Sequence, residues 1–159
     1  MSLQTIAAEG LRAFFERFQS LNAASDVERI ATLYAGSVII AGPKGAQVVS
    51  SDDLQRAIPK RRQLLESVGY RDTALVGFEE TVLTDRYALV RAQFQWHFHA
   101  ASEPVTVTLP STFIVDRGGD SPRILVYMND QDVVSVLRER GVLPPVLVRG
   151  AVEDHVRVV

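Results

Sequence analysis

From Val90 to His99 the chain alternates strictly, and Ala88 extends the apolar side. Ala88, Val90, Ala92, Phe94, Trp96 and Phe98 fall at one parity, and Arg91, Gln93, Gln95, His97 and His99 at the other. Successive side chains on a strand point to opposite faces, so this pattern commits the segment to a strand with one buried and one polar side. The next segment repeats it, with Val105, Val107, Leu109, Ser111, Phe113 and Val115 set against Thr106, Thr108 and Thr112. Ser111 is therefore a polar residue on the apolar side. Pro110 is tolerated only where the strand has an edge or a bulge. A one-sided sheet must bury its apolar face against another layer.

That layer precedes the strands. Ile6, Leu11, Phe14, Phe15, Phe18 and Leu21 recur at helical spacing, which predicts an amphipathic helix over Leu3 to Leu21. Asn22 to Ser25 breaks it, and Ser25 or Asp26 caps a second helix over Val27 to Tyr34. Val38 to Ala41 is a short strand closed by Gly42-Pro43. Ser51 with Asp52 and Asp53 starts a third helix; Pro59 is expected to kink it and Gly69 to end it. From about Thr73 to Asp130 the chain reads as strands, turning at 84–86, 100–103 and 118–122, hence an antiparallel meander. Asp130 or Asp132 caps a last helix that Gly141 stops. The expected fold class is α+β, a cone-shaped roll. Three N-terminal helices pack on a curved, mainly antiparallel sheet, and a short C-terminal helix follows. One domain is expected over 1–144. The 145–159 tail shows no core periodicity, although its valines suit an added edge strand.

Composition narrows the function. A net charge of -2 provides no basic field for nucleic acid, so no such partner is expected. With no cysteine there is no disulfide, thiolate metal site or cysteine nucleophile. No run approaches the roughly 18 apolar residues of a membrane helix, and the first residues lack a signal-peptide pattern. A soluble, cytoplasmic protein without a membrane partner is the expectation.

The phrases LNAASDVERIATLYAGSVIIAGPKG and RILVYMNDQDVVSVLRERG, in this order of elements, resemble the nuclear-transport-factor-2-like superfamily, in particular its SnoaL-like bacterial branch. The resemblance covers roughly Leu3 to Pro144 and implies a cone that holds an apolar pocket. The superfamily includes ketosteroid isomerases, polyketide cyclases, dehydratases, an epoxide hydrolase, and members that only bind ligands or partners. Ketosteroid isomerase uses an Asp base with a Tyr and a protonated Asp as oxyanion donors. The matching positions here hold Gly42 for the base, Arg17 for the Tyr and Ser111 for the Asp. Glycine takes no proton, so that chemistry is not expected. Extending the likeness to the last strand places Leu125, Tyr127 and Asn129 on the pocket side.

The expected pocket lies between the first helix and the sheet, bordered by Phe14, Arg17, Phe18, Tyr34, Trp96, Ser111, Tyr127 and Asn129. A mainly apolar lining with a few polar groups suits a small, largely apolar ligand. Plainer roles stay open: core packing for the aromatics, a solvated charge for Arg17. Two other readings also stay open, a cyclase-, isomerase- or dehydratase-like enzyme on a carbonyl compound, and a non-catalytic dimerisation or assembly domain. A homodimer is expected through Arg91, Gln93, Gln95, His97, Thr106 and Thr108 on the outer sheet face. His97 and His99 stand about 7 Å apart on one face, but a metal site needs three or four convergent ligands, so no metal is expected. No cofactor is expected either. Gly42-Pro43-Lys44-Gly45 lacks the spacing of a phosphate loop, and Lys60-Arg61-Arg62 reads as a solvated helix face.

Overall fold

The structure, a computed structural model, describes the backbone of residues 3–143 and the side chains of 11–143. The 145–159 tail, with its suggested edge strand, lies outside the described residues.

Helix α1 spans Leu3–Ala24, running on past Leu21. The polar stretch stays helical, with the Asn22 side-chain amide donating back to the Phe18 carbonyl at 2.8 Å, and the break falls at Ser25 with φ 55°. Asp26 caps α2, Val27–Thr32, by accepting from the Arg29 amide. This helix is shorter than expected because Tyr34 already belongs to β1, Tyr34–Gly42. Strand β2, Gly45–Ser50, was not among the expected elements; Pro43-Lys44 is its turn back onto β1. Ser50 and Asp53 form a reciprocal capping box at the start of α3, Ser51–Glu66. Pro59 sits inside α3 on its exposed side. Gly69 follows at φ 80°, and a Cβ there would lie 2.1 Å from the His99 carbonyl oxygen, so only glycine fits.

The remaining elements follow the expected order: β3 Tyr70–Val82, β4 Tyr87–Ala100, β5 Glu103–Asp116, β6 Arg123–Met128 and α4 Val133–Glu139. Asp132, not Asp130, caps α4, and Gly141 closes it at φ 74°. The six strands form one sheet in the order β2-β1-β6-β5-β4-β3. Every pairing is antiparallel except β1 with β6. Register shifts in β3, in β1 and between β5 and β6 bend it, as bulges do. Strand β6 pairs only with Thr112–Asp116, so Pro110 lies where β5 has an open edge on that side. The shift between Ile114 and Val115 also corrects the expected parity of the last strand. Ile124 and Tyr127 are both buried, and Leu125 is only half-buried. The result is an α+β fold with helices on one face of a curved sheet.

The alternation in β4 and β5 sorts as expected, with Ala88, Val90, Ala92, Phe94, Trp96 and Phe98 buried. Phe113 is the hub of the core. Its ring lies 4.7 Å from Phe15, 4.7 Å from Tyr127, 5.8 Å from Phe18 and 6.4 Å from Phe94. These are edge-on or tilted contacts, the favourable geometry for aromatic pairs.

Two predictions follow from this packing. Phe113→Ala should lower unfolding free energy by about 3–5 kcal/mol in a denaturant titration, whereas Val48→Ala on the exposed edge should stay within about 0.5 kcal/mol. The second concerns Glu80, which is enclosed beside Arg117 at 3.7 Å with both carboxylate oxygens lacking a hydrogen-bond partner. Burial raises its pKa above 4.5, and Arg117 opposes only in part. The folded state then holds the proton more tightly than the unfolded state, so stability falls as pH rises from 4.5 through the raised value. Glu80→Gln should remove that fall, seen as Tm against pH; parallel curves for the two proteins would refute it.

Candidate functional site

The sheet's inner face and α1 leave little free space, because Phe15, Phe18, Phe94, Phe113 and Tyr127 interlock. A recess of about 40 Å³ lies at the mouth of the cone, between α1, α3 and β3–β4. Its apolar walls are Phe18, Ile58, Leu65, Phe94 and Trp96. Gln19, Asn22, Arg61, Arg62, Tyr70 and Thr73 supply its polar groups. The rim is tied across elements. The Gln19 amide donates to the Thr73 carbonyl, Arg62 donates to the Asn22 carbonyl at 3.3 Å, and the Tyr70 hydroxyl meets Thr73 Oγ1 at 2.6 Å. The Arg62 guanidinium also stacks 4.5 Å from the Tyr70 ring centre and pairs with Glu66 at 2.7 Å.

Deeper in the cone lies a small polar cluster. Ser111 and Tyr127 hydroxyls are 3.0 Å apart and buried, and the Asn129 amide reaches the Tyr127 hydroxyl at 3.5 Å. Tyr34 is buried against Phe18, and its hydroxyl has no hydrogen-bond partner. Burial pushes the Tyr34 phenol far up; the neighbouring Tyr127 adds to this and Arg61 opposes it. Burial likewise raises Tyr127, against the Ser111 hydrogen bond and the Arg61 charge. Both phenols therefore stay neutral and act as hydrogen-bond donors, not bases. Near this cluster the buried acid is Asp132, whose two oxygens accept from the Ser135 amide and hydroxyl at 3.0 and 2.9 Å as the cap of α4. This interior can donate hydrogen bonds to a ligand oxygen. Among the described residues it presents no imidazole: His97 bonds Asp72 at 2.5 Å on the outer face, and His99 bonds Arg71 at 3.4 Å.

The sequence-derived lining separates into four groups. Phe18 and Trp96 line the recess. Tyr34, Ser111, Tyr127 and Asn129 fall in or beside the deeper cluster, and Asn129 also borders a shallow groove of about 310 Å³ with Gly42, Arg91 and Thr112. Phe14 packs edge-on to Phe15 in the core. Arg17 is a correction. It lies exposed, because its place on α1 falls outside the stripe of Leu11, Phe14, Phe15 and Phe18 that faces the sheet. The Lys60-Arg61-Arg62 reading also changes: Lys60 is exposed, but Arg61 and Arg62 are half-buried at the recess. The α3 contribution was missed, although a signal existed. Leu54, Ile58, Arg61 and Leu65 are spaced by four, three and four residues, so Arg61 is the polar member of an apolar stripe.

The Ser111–Tyr127 bond makes its own prediction. Ser111→Ala and Tyr127→Phe should each destabilise by about 1–3 kcal/mol, since each leaves a buried group unpaired. The double variant should lose less than the sum, with a coupling of at least about 0.5 kcal/mol in a double-mutant cycle; strict additivity would show that the two hydroxyls do not interact.

Comparison with known proteins bears on the fold. No curated protein matches the chain. An NTF2-like protein with a cystatin-like fold from Novosphingobium aromaticivorans is 15% identical, with a TM-score of 0.69 over 89% of this chain and 92% of that one. A ketosteroid isomerase-like protein from Erwinia carotovora atroseptica is 14% identical, with a TM-score of 0.61 over 77% and 94%. The beta subunit of the benzoate 1,2-dioxygenase from Burkholderia mallei is 15% identical, with a TM-score of 0.59 over 76% and 87%. At such identities the likeness shows a shared fold. The sequence itself matches a family over residues 7–132, most of its length, and the chain belongs to that family, described as NTF2-like protein (DUF6841).

Proposed function

We propose that this protein binds a small, largely apolar molecule at the mouth of its cone, and that it does so without ketosteroid isomerase chemistry. The observation that carries this reading is the recess itself, with apolar walls from Phe18, Ile58, Leu65, Phe94 and Trp96 and a few polar groups on its rim. A mostly apolar concavity with sparse polar groups is the usual form of a small-molecule site. At about 40 Å³ the recess at rest has room for a few waters. A ligand must therefore displace rim side chains, and the long Gln19 and Arg62 are the ones placed to yield. Isomerisation is disfavoured by Gly42 at the position of the base, by the exposed Arg17, and by phenols held neutral in the interior. A SnoaL-like, bacterial and cytoplasmic setting accords with the sequence resemblance. No helix among the described residues is long and apolar enough to cross a membrane.

The closed aromatic interior also favours a second reading, a non-catalytic assembly domain that works as a homodimer through its outer sheet face. Arg91, Gln93, Thr106 and Thr108 are exposed there, and Gln95 and His97 are half-buried. Gln95 bonds both Thr108 at 3.1 Å and His97 at 3.0 Å, so the face is a preset hydrogen-bonded surface that suits a wet interface. A dioxygenase beta subunit of similar fold is a precedent for an NTF2-like chain serving as a component of a larger assembly.

Two measurements test these readings. Millimolar benzyl alcohol or cyclohexanone should shift NMR signals of Phe18, Ile58, Leu65 and the Trp96 indole, and a 5-ene-3-ketosteroid should show no isomerase turnover. Silence at all four residues would sink the binding site. Light scattering at micromolar concentration should return a dimer mass, and a monomer would count against the sheet-face interface.

A further inference from the structure

The groove beside Asn129 lies on the other side of the sheet from the recess. Arg91, Thr112, Met128 and Ala41 are direct cross-strand partners in one row from β4 to β1. Opposed residues share a face. The next residue in each strand, namely Ala92, Phe113, Tyr127 and Ile40, is buried inside, so the row lies on the outer face. Strand β6 ends at Met128 and β1 at Gly42, while β5 runs on through Pro110 without pairing to β6. These unequal ends leave a notch of about 310 Å³, the size of a small-molecule site. Gly42 keeps it open, since a Cβ there would meet only Asn129 Oδ1, at 3.8 Å.

Two opposite charges border the notch. Arg91 and Asp130 are both exposed, and among the described residues neither makes an ion pair or a side-chain hydrogen bond. Glu79 stands across from Arg91 on β3 and likewise makes no ion pair with it. Two strand spacings, roughly 10 Å, separate the backbones of Arg91 and Met128, and Asp130 lies two residues further on. The two charges therefore leave room for a molecule between them.

We propose that this notch binds a small zwitterion, an aminocarboxylate whose carboxylate meets the Arg91 guanidinium and whose ammonium meets the Asp130 carboxylate. A guanidinium is planar, permanently charged and matched to a carboxylate. Asn129 Oδ1 offers the ammonium a second acceptor, and Met128 with Pro110 contacts the carbon chain between the charges. A guest with a single charge satisfies one wall and leaves the other unpaired or repelled, so the charge pair selects for the zwitterion. Exposed charges are screened by water and salt, which keeps that selection modest. No residue of the recess takes part, so either site stands if the other fails.

The chain has two methionines, Met1 and Met128, so methyl-labelled methionine gives two NMR signals, and Met128→Leu identifies the one in the notch. The full chain should be titrated at pH 7 with 6-aminohexanoate, hexanoate and hexylamine. The zwitterion should shift the Met128 methyl, leave the Trp96 indole of the recess unmoved, and bind about tenfold more tightly than either single-charge analogue. Arg91→Gln should lower its affinity to about that of hexylamine, and Asp130→Asn to about that of hexanoate. Gly42→Val should weaken it by about tenfold by filling the notch, and the added Cβ makes only an ordinary contact. Equal affinity for the three compounds in the unaltered protein would overturn the zwitterion. A Met128 methyl that stays silent at millimolar concentration would overturn the site. Arg91 also belongs to the sheet face of the dimer reading. An affinity that rises as the protein is diluted would therefore make a second copy the occupant and overturn the proposal. If a charge variant does not fold, the three-compound comparison in the unaltered protein still decides.

Discussion

The position of the Phe113 ring controls most of what this chain can do. It stands on β5, touches Phe15 and Phe18 from α1, Phe94 from β4 and Tyr127 from β6, and so joins the first helix to three strands through one side chain. Aromatic rings bury large areas and prefer edge-on contacts, so such a cluster is both strong and particular about geometry. It also fills the space that would otherwise be the cone's cavity. The fold therefore fills its interior with packed rings, and a recess remains where the aromatic cluster ends, at the mouth under α3.

The same packing decides the character of the polar groups inside. Ser111 and Tyr127 sit on the apolar face of the sheet and satisfy each other at 3.0 Å. A dry site of this kind strengthens hydrogen bonds and penalises charge. The phenols remain neutral, the carboxylate of Asp132 is occupied as a helix cap, and His97 and His99 lie on the outer face. A cluster that donates hydrogen bonds and offers no poised base fits recognition better than proton transfer.

The strand faces were legible because period-2 alternation is a direct readout of one-sided burial. Phe94 and Trp96 were assigned inward from parity alone, and they are buried. The fold class followed from helices first and strands after. Strand β2 was hidden because Gly45 to Ser50 is mostly exposed, so it carries no strong burial pattern. Leu125 was misassigned because the shift between Ile114 and Val115 breaks parity, and a bulge leaves no sign in local composition. Likeness to a Tyr position carries Arg17 inward, although its own helix stripe puts it on the solvent side. Arg61 went the opposite way. By sequence it belongs to one charged run with Lys60 and Arg62, while helix geometry puts it in line with Ile58 and Leu65.

These particulars identify which wall can admit a ligand. The sheet cannot widen without breaking its ladder of backbone hydrogen bonds. Helix α1 cannot lift without pulling Phe15 and Phe18 off Phe113. Helix α3 is held differently. Its buried side chains are the aliphatic Leu54, Ile58 and Leu65, and its link to α1 across the recess is the Arg62 bond to the Asn22 carbonyl. Aliphatic contacts are less directional than interlocked rings, and a long arginine can swing without moving its backbone. Entry by displacement along α3 costs the fewest specific interactions.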